Sequence, residues 1–197
     1  MKDSSLELAK NAFSIEADTL IKTGEKMDWL AFSEAVALLA NAERIAASGC
    51  GHTGIACMHF AHSMCCIERP ARFLSPAEAV HGATGFMQAG DVLIVASRGG
   101  KTAELLPIIE IAKKKNVSVI AVTENLESPM ALKSDVVLPV SITREADRFN
   151  AQGTSSFAAV SAVFDALQVA VMEETGYREE QFGLIHPGGA VGERLNK

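Results

Sequence analysis

Aromatic residues are scarce in this 197-residue chain, at 6% with one tryptophan and one tyrosine, and prolines number only six. No Pro/Gly/Ser-rich linker, low-complexity run or internal repeat interrupts it, so residues 1–197 are read as a single domain. An excess of basic charge is missing too. Eighteen lysines and arginines stand against 24 acidic residues, for a net charge of −6. That balance argues against nucleic-acid and membrane partners, so an anionic ligand must be caught by local groups. The N-terminal MKDSSLELAKNAFSIEADTLIK alternates charge with apolar residues and lacks the continuous apolar run of a signal peptide. The most apolar stretch, Phe157 to Met172, is broken by Ser161, Asp165 and Gln168 and reads as too short to span a bilayer. A cytoplasmic protein is the expectation. The four cysteines (Cys50, Cys57, Cys65 and Cys66) show no framework spacing, which fits free thiols in a reducing compartment.

What the chain does have is 48% apolar residues in two distinct periodicities. From Leu6 to about Ser48 they recur at helical spacing (Leu6, Ala9, Phe13 and Ile15, then Leu30, Ala35, Leu38 and Leu39), with Thr23-Gly24 as the expected break between two helices. Beyond Arg44 the pattern becomes short apolar runs that end in glycine- or serine-rich turns, each followed by a helical stretch. Strands are expected at Ile45–Ala47, Ala71–Leu74, Asp91–Ala96, Val117–Val122 and Asp135–Val140. Helices are expected from about Thr102 to Lys115, over Ser128–Lys133, and from about Ser155 to Glu174 with Gly176 at the C-terminal cap. Pro107 fits the first of these only near its first turn or as a kink. The fold class is α/β: a doubly wound, three-layer sandwich around a roughly five-stranded parallel sheet, preceded by helices.

Ligands of open parallel sheets bind beyond the carboxyl ends of the strands. Three loops rich in glycine and hydroxyl groups fall there: Ser48-Gly-Cys-Gly-His-Thr-Gly54, Ser97-Arg-Gly-Gly-Lys-Thr102 and Gln152-Gly-Thr-Ser-Ser156. Each is expected to open a helix. Exposed N–H groups and the helix dipole attract negative charge and hydroxyls complete a cradle, so phosphate is the natural guest, although ordinary helix caps use the same residues. Gly49, Gly51 and Gly54 also spell G-x-G-x-x-G, but no acidic residue closes the following strand, which argues against a dinucleotide. Cys57, His59, His62, Cys65 and Cys66 place His62 within i+3 and i+4 of two cysteines. No paired C-x-x-C or H-E-x-x-H accompanies them, so they read as packing rather than a metal site. Cys50, at the start of a helix, is a candidate for a lowered thiol pKa.

Taken jointly, Ser48-x-Gly-x-x-x-Gly54, Glu78-Ala-x-His81-Gly82, Ser97-x-x-Gly-x-Thr-x-Glu104, Thr154-Ser-Ser156 and His186-Pro-Gly-Gly-Ala-x-Gly192 resemble, in this order, the sugar isomerase (SIS) domain of arabinose-5-phosphate isomerases. The resemblance runs from about Ala40 to Leu195, and the His-Pro-Gly-Gly-Ala-x-Gly segment is its most specific part. It implies interconversion of an aldose and a ketose phosphate, most specifically D-arabinose 5-phosphate and D-ribulose 5-phosphate, with neither cofactor nor metal. It implies a homodimer or homotetramer whose active sites are shared between subunits. Members often append a pair of CBS modules after this point; with Lys197 as the last residue, a protein without them is the expectation. His81, Glu104, Glu145 and His186 fall where the family keeps catalytic or substrate-contacting groups. Ser48, Gly49, Gly51, His52, Ser97, Arg98, Gly100, Lys101, Thr102, Thr154, Ser155 and Ser156 fall in the substrate and phosphate loops.

Two departures stand out. His52 occupies the place of a family lysine, and Arg98-Gly-Gly-Lys101 replaces the usual Asn-Ser-Gly-Glu, adding two cations beside the phosphate loop. The chemistry needs an acid/base pair to open the sugar ring and a base to carry a proton between C1 and C2 through an enediol. A carboxylate (Glu145 or Glu104) suits the second task and a histidine (His186 or His81) the first. Taken alone, Glu104 would only complement a helix dipole, and Glu145, beside Arg144, Asp147 and Arg148, would lie in a solvated charged loop. The departures also motivate a second reading, a catalytically silent sugar-phosphate-binding module. A third keeps the site and changes the sugar, to an amino sugar or hexose phosphate.

Overall fold

The computed structural model describes residues 2–195. In chain order the elements are α1 (Asp3–Glu25), α2 (Trp29–Asn41), β1 (Ile45–Gly49), α3 (Gly51–Cys65), β2 (Ala71–Phe73), α4 (Pro76–Ala79), a 3-10 turn (Ala83–Phe86), β3 (Val92–Ala96), α5 (Leu106–Lys114), β4 (Ser118–Thr123), α6 (Pro129–Lys133), β5 (Val136–Pro139), α7 (Ser155–Glu174), α8 (Glu179–Ile185) and α9 (Gly189–Leu195). The strands form one parallel sheet in the order β2-β1-β3-β4-β5, with Ile45 opposite both Ala71 and Val92, Val92 opposite Ser118, and Ile120 opposite Val136.

Both faces of the sheet are covered, which is why its strands are uninterrupted apolar runs. Ile45, Ala47, Val92, Ile94, Ile120, Val122, Val136 and Leu138 join one core with α2, α3 and α7. The alternate residues Ala46, Leu93, Val95, Val119 and Ala121 join a second core with α5 and α6. The expected doubly wound α/β architecture is therefore the one observed.

Three expectations about the elements change. The first two helices break not at Thr23-Gly24, which closes α1, but at Lys26–Asp28, where the Asp28 carboxylate accepts the Leu30 and Ala31 N–H groups at 3.0 and 3.1 Å and caps α2. Some of the periodic apolar residues of α1 and α2 face outward: Phe13 is 81% exposed and Leu30 85%. The helix expected from Thr102 begins instead at Leu106, because Pro107 lacks an N–H and belongs in a first turn, so Glu104 lies in the preceding turn. The apolar stretch after Ser155 is one uninterrupted 20-residue helix, long and apolar enough by length and composition to cross a membrane. It is instead the central helix of the first core. Ala159, Val160, Val163, Phe164, Leu167 and Val171 are buried against α2 and α3, and Phe164 stacks on Phe60 at 4.6 Å between ring centres.

Helices α3 and α7 run side by side in the same direction, contacting in order at His52–Phe157, His59–Asp165 and Ser63–Gln168. Their N-termini therefore share the end of the molecule where the strands finish. Their C-termini share the other end. There the left-handed Gly176 lets Tyr177 donate its N–H back to Met172, a turn that swings the Tyr177 hydroxyl onto the Cys66 carbonyl at 3.0 Å.

Candidate active site

In this strand order the direction of winding reverses between β1 and β3, and a crevice opens beyond their carboxyl ends. The three glycine- and hydroxyl-rich loops meet at that place. The first supplies the start of α3, whose N-cap residue Cys50 makes no side-chain cap, leaving the positive end of the helix open to a ligand. His52 is exposed there and lies directly against Gly153 of the third loop, where a Cβ would overlap its ring.

The second loop folds on itself. Ser97 and Thr102 share a hydroxyl–hydroxyl hydrogen bond of 2.8 Å, and the Gly100 N–H donates to Ser97 Oγ at 3.2 Å. Its two cations behave differently. Arg98 Nη1 reaches Glu145 Oε1 at 2.8 Å and its Nε reaches Glu124 Oε2 at 2.9 Å. Lys101 is exposed, and within the described residues its side chain has no hydrogen bond or ion pair. Glu104 is likewise exposed and unpaired, and lies near enough to Cys50 to raise its thiol.

Against the third loop, from the segment that precedes it, lies Glu145, only 2% exposed. Its Oε2 accepts the Thr154 N–H at 3.0 Å, the Thr154 hydroxyl at 3.1 Å and the Ser156 N–H at 3.1 Å. This carboxylate is thus the N-terminal cap of α7. Burial pushes its carboxyl up, but the Ser156 and Thr154 hydrogen bonds outweigh that and hold it below the usual carboxylate range. The loop is braced further by Asn150, which accepts the Glu145 N–H at 2.6 Å, and by Thr154 Oγ1, which accepts the Ala146 N–H at 2.8 Å. Ser155 is fully buried and, among the described residues, its hydroxyl has no hydrogen-bond partner.

The remaining expected residues are more dispersed. Ser48 lies inside the sheet and donates its hydroxyl to the Leu74 carbonyl at 2.8 Å, tying the end of β2 to β1. His81 is exposed just after α4, and its imidazole makes no hydrogen bond within the described residues. His186 is not brought to the loops at all. Its ring stacks on Phe182 at 3.8 Å, and Nδ1 lies 3.0 Å from the Phe182 carbonyl. Helix α8 is tied to the segment after α3 by Gln181 on Glu68 at 2.7 Å, at the far end of α7, roughly 30 Å from the crevice at 1.5 Å per residue. Within one chain, His186 and Glu104 cannot touch the same small molecule.

The cysteine expectation is also corrected. Burial, followed by the nearby Glu104 carboxylate, raises the Cys50 thiol rather than lowering it, and burial keeps Cys57 protonated. Among the described residues no group of three or more His, Cys, Asp or Glu side chains is placed to hold a metal ion. Glu124 is the participant that sequence reasoning missed. It immediately follows Thr123, the last residue of β4, and its position at a strand's carboxyl end was the signal available.

Comparison with known proteins identifies the family of the fold. A family model described as the SIS domain matches residues 38–170. An arabinose 5-phosphate isomerase of Pseudomonas aeruginosa is 36% identical over 158 residues, covering 80% of this chain and 48% of that protein. The chain spans about half to three-fifths of the length of the curated relatives it matches. Among solved structures, a Listeria monocytogenes protein provisionally described as a sugar-phosphate isomerase superposes with a TM-score of 0.91 at 40% identity, covering 95% of this chain and all of that one. An Escherichia coli protein in complex with arabinose 5-phosphate superposes with a TM-score of 0.88 at 27% identity, with 95% of this chain and all of the other covered.

Proposed function

The chain belongs to the SIS domain family, and from that premise we propose that it is a phosphosugar isomerase, interconverting D-arabinose 5-phosphate and D-ribulose 5-phosphate in the cytoplasm. The observation that carries the reading is an exposed carboxylate, Glu104, near enough to Cys50 at the open N-terminus of α3 to raise its thiol. In this scheme the substrate phosphate binds the first turn of α3 and the second loop, where Lys101 and whichever of the paired Ser97 and Thr102 hydroxyls is not donating to the other are the available donors. Glu104 takes the proton from C2 as electron density moves onto the C1 carbonyl oxygen to give an enediolate; the proton of the C2 hydroxyl passes to the C1 oxygen, and the Glu104 carboxyl returns its proton to C1 as the C2 carbonyl forms. Glu145, whose oxygens are already committed, does not serve as that base.

Ring opening needs an acid/base group near the sugar, and His52 and His81 lie on the loop side of the chain. His186 serves only the site of a neighbouring copy, which is the physical content of a shared active site in a homo-oligomer. A second reading, phosphosugar binding without turnover, is favoured by one feature: the first loop carries the exposed His52 where the family resemblance has a lysine.

One experiment separates the two. The protein is incubated with arabinose 5-phosphate in heavy water, and the C1 and C2 protons are followed by NMR. Deuterium at C1 with appearance of ribulose 5-phosphate is expected, slowed about 100-fold or more in Glu104→Gln. Ligand-induced shifts in protein resonances without exchange would leave the binding-only reading.

A further inference from the structure

Two helices present their N-termini to the same crevice, and they differ in how that end is filled. Helix α3 carries no side-chain cap. Helix α7 is capped by Glu145, which sits at 2% exposure and receives three hydrogen bonds from Thr154 and Ser156 on one oxygen. A carboxylate this deeply placed needs a countercharge as well as hydrogen bonds, because an isolated buried charge is strongly unfavourable. Arg98 supplies it on the other oxygen.

The anchoring of Arg98 explains how it can. Its carbonyl accepts the Glu124 N–H and the Thr123 hydroxyl, both at 3.0 Å, fixing its backbone to the end of β4. Its Nε holds Glu124, whose second oxygen accepts the Ile142 N–H at 3.1 Å. The guanidinium thus bridges two carboxylates on two different segments, a task for a planar fork and not for a point charge. Were it to swing onto a ligand phosphate, it would abandon a buried carboxylate. Lys101, three residues on, has no such commitment.

We infer that Arg98 is a positioning residue and not a phosphate ligand: with Glu124 it pins Glu145 onto the first turn of α7, so that this helix end is filled from within the chain and the substrate phosphate is directed to α3 and Lys101. The inference rests on the phosphosugar reading for its account of substrate, but the pinning of Glu145 stands on geometry alone. The charged groups around Glu145 are Arg98, Glu124 behind it, Arg144, which donates to the Glu145 and Asp147 carbonyls, Asp147 itself and the positive end of α7.

The test uses Arg98→Gln, Arg98→Lys and Lys101→Met in the full chain. Amide resonances of Thr154 and Ser156 are followed by NMR against pH. In Arg98→Gln their acid titration should move to higher pH, with partial return in Arg98→Lys and no change in Lys101→Met. Inorganic phosphate, titrated into each protein, should bind about tenfold more weakly to Lys101→Met and with undiminished affinity to Arg98→Gln. With arabinose 5-phosphate as substrate, Arg98→Gln should lose about tenfold or more in kcat with KM largely held, and Lys101→Met should chiefly raise KM. Phosphate affinity lost equally in both variants, with the Thr154 and Ser156 titration unmoved by Arg98→Gln, would overturn the inference. Should Arg98→Gln fail to fold, Arg98→Lys carries the same comparison, since it keeps a charge and loses the fork. Absence of turnover by the unmodified protein would defeat the isomerase reading and leave the amide and phosphate measurements to decide the role of Arg98.

Discussion

Glu145 shows how much of a functional face can hang on one side chain. Its four contacts, to the Arg98 guanidinium, the Thr154 N–H and hydroxyl and the Ser156 N–H, join the second loop to the start of α7. Asp147 works similarly two residues on, accepting the Gln152, Ala151 and Phe149 N–H groups, and its carboxyl is also held below the usual range. A carboxyl whose folded-state pKa is depressed stabilises above its unfolded-state value, and that contribution is lost as pH falls through the folded-state value. Thermal unfolding should therefore change little from about pH 7 to 5 and fall steeply below about pH 4. In Glu145→Gln the acid limb should be shallower; an unaltered limb would show that the carboxylate contributes nothing to folding. Both Glu145 and Arg98 were recognisable in the sequence as candidate site residues. Their pairing was not, because 47 residues separate them and no local pattern encodes a contact at that range.

At the scale of elements, periodicity announced the strands and long helices, while caps and prolines decided where they begin. Asp28 moves the first break beyond Thr23-Gly24, and Pro107 delays α5, which leaves Glu104 in a turn facing Cys50 instead of in a helix. Helix α7 is the element on which the rest depends. It packs on α1, α2 and α3 while its first turn builds the site. Phe164 at its centre is fully buried against Phe60, so Phe164→Ala should cost about 3–5 kcal/mol in chemical denaturation. Asp28→Ala, which removes only the α2 cap, should cost about 1 kcal/mol. Equal losses in the two variants would contradict this ordering.

For the molecule as a whole, parallel packing of α3 and α7 places the loops at one end and His186 at the other. A shared site, in which one copy's His186 completes another copy's crevice, follows only if copies associate. The outer face of α1 offers a surface for that: Phe13 is 81% exposed and Ile21 61%, well beyond what a helix turned fully toward its own core would show. If α1 forms the proposed interface, the double change Phe13→Asp and Ile21→Asp should give a monomer in analytical ultracentrifugation where the unmodified protein gives a larger species, and lower turnover with it. A protein that is monomeric and fully active before any substitution would refute the shared site.

The sequence by itself determined the layers of this protein, since strands buried on both faces must be apolar throughout and helices must carry one apolar stripe. It also determined where the loops fall, because glycine and hydroxyl residues cluster after the strands. Tertiary structure alone decided which of the loop residues are free. Arg98 and Lys101 are both cations of one loop, yet only the fold brings two carboxylates to Arg98 and, among the described residues, none to Lys101. Likewise Glu104 and Glu145 are chemically alike in sequence, and the fold buries one as a helix cap and leaves the other open to the crevice. Partnership between side chains distant in sequence is a property of three-dimensional packing, and in this site it separates the groups that hold the structure from those available for chemistry.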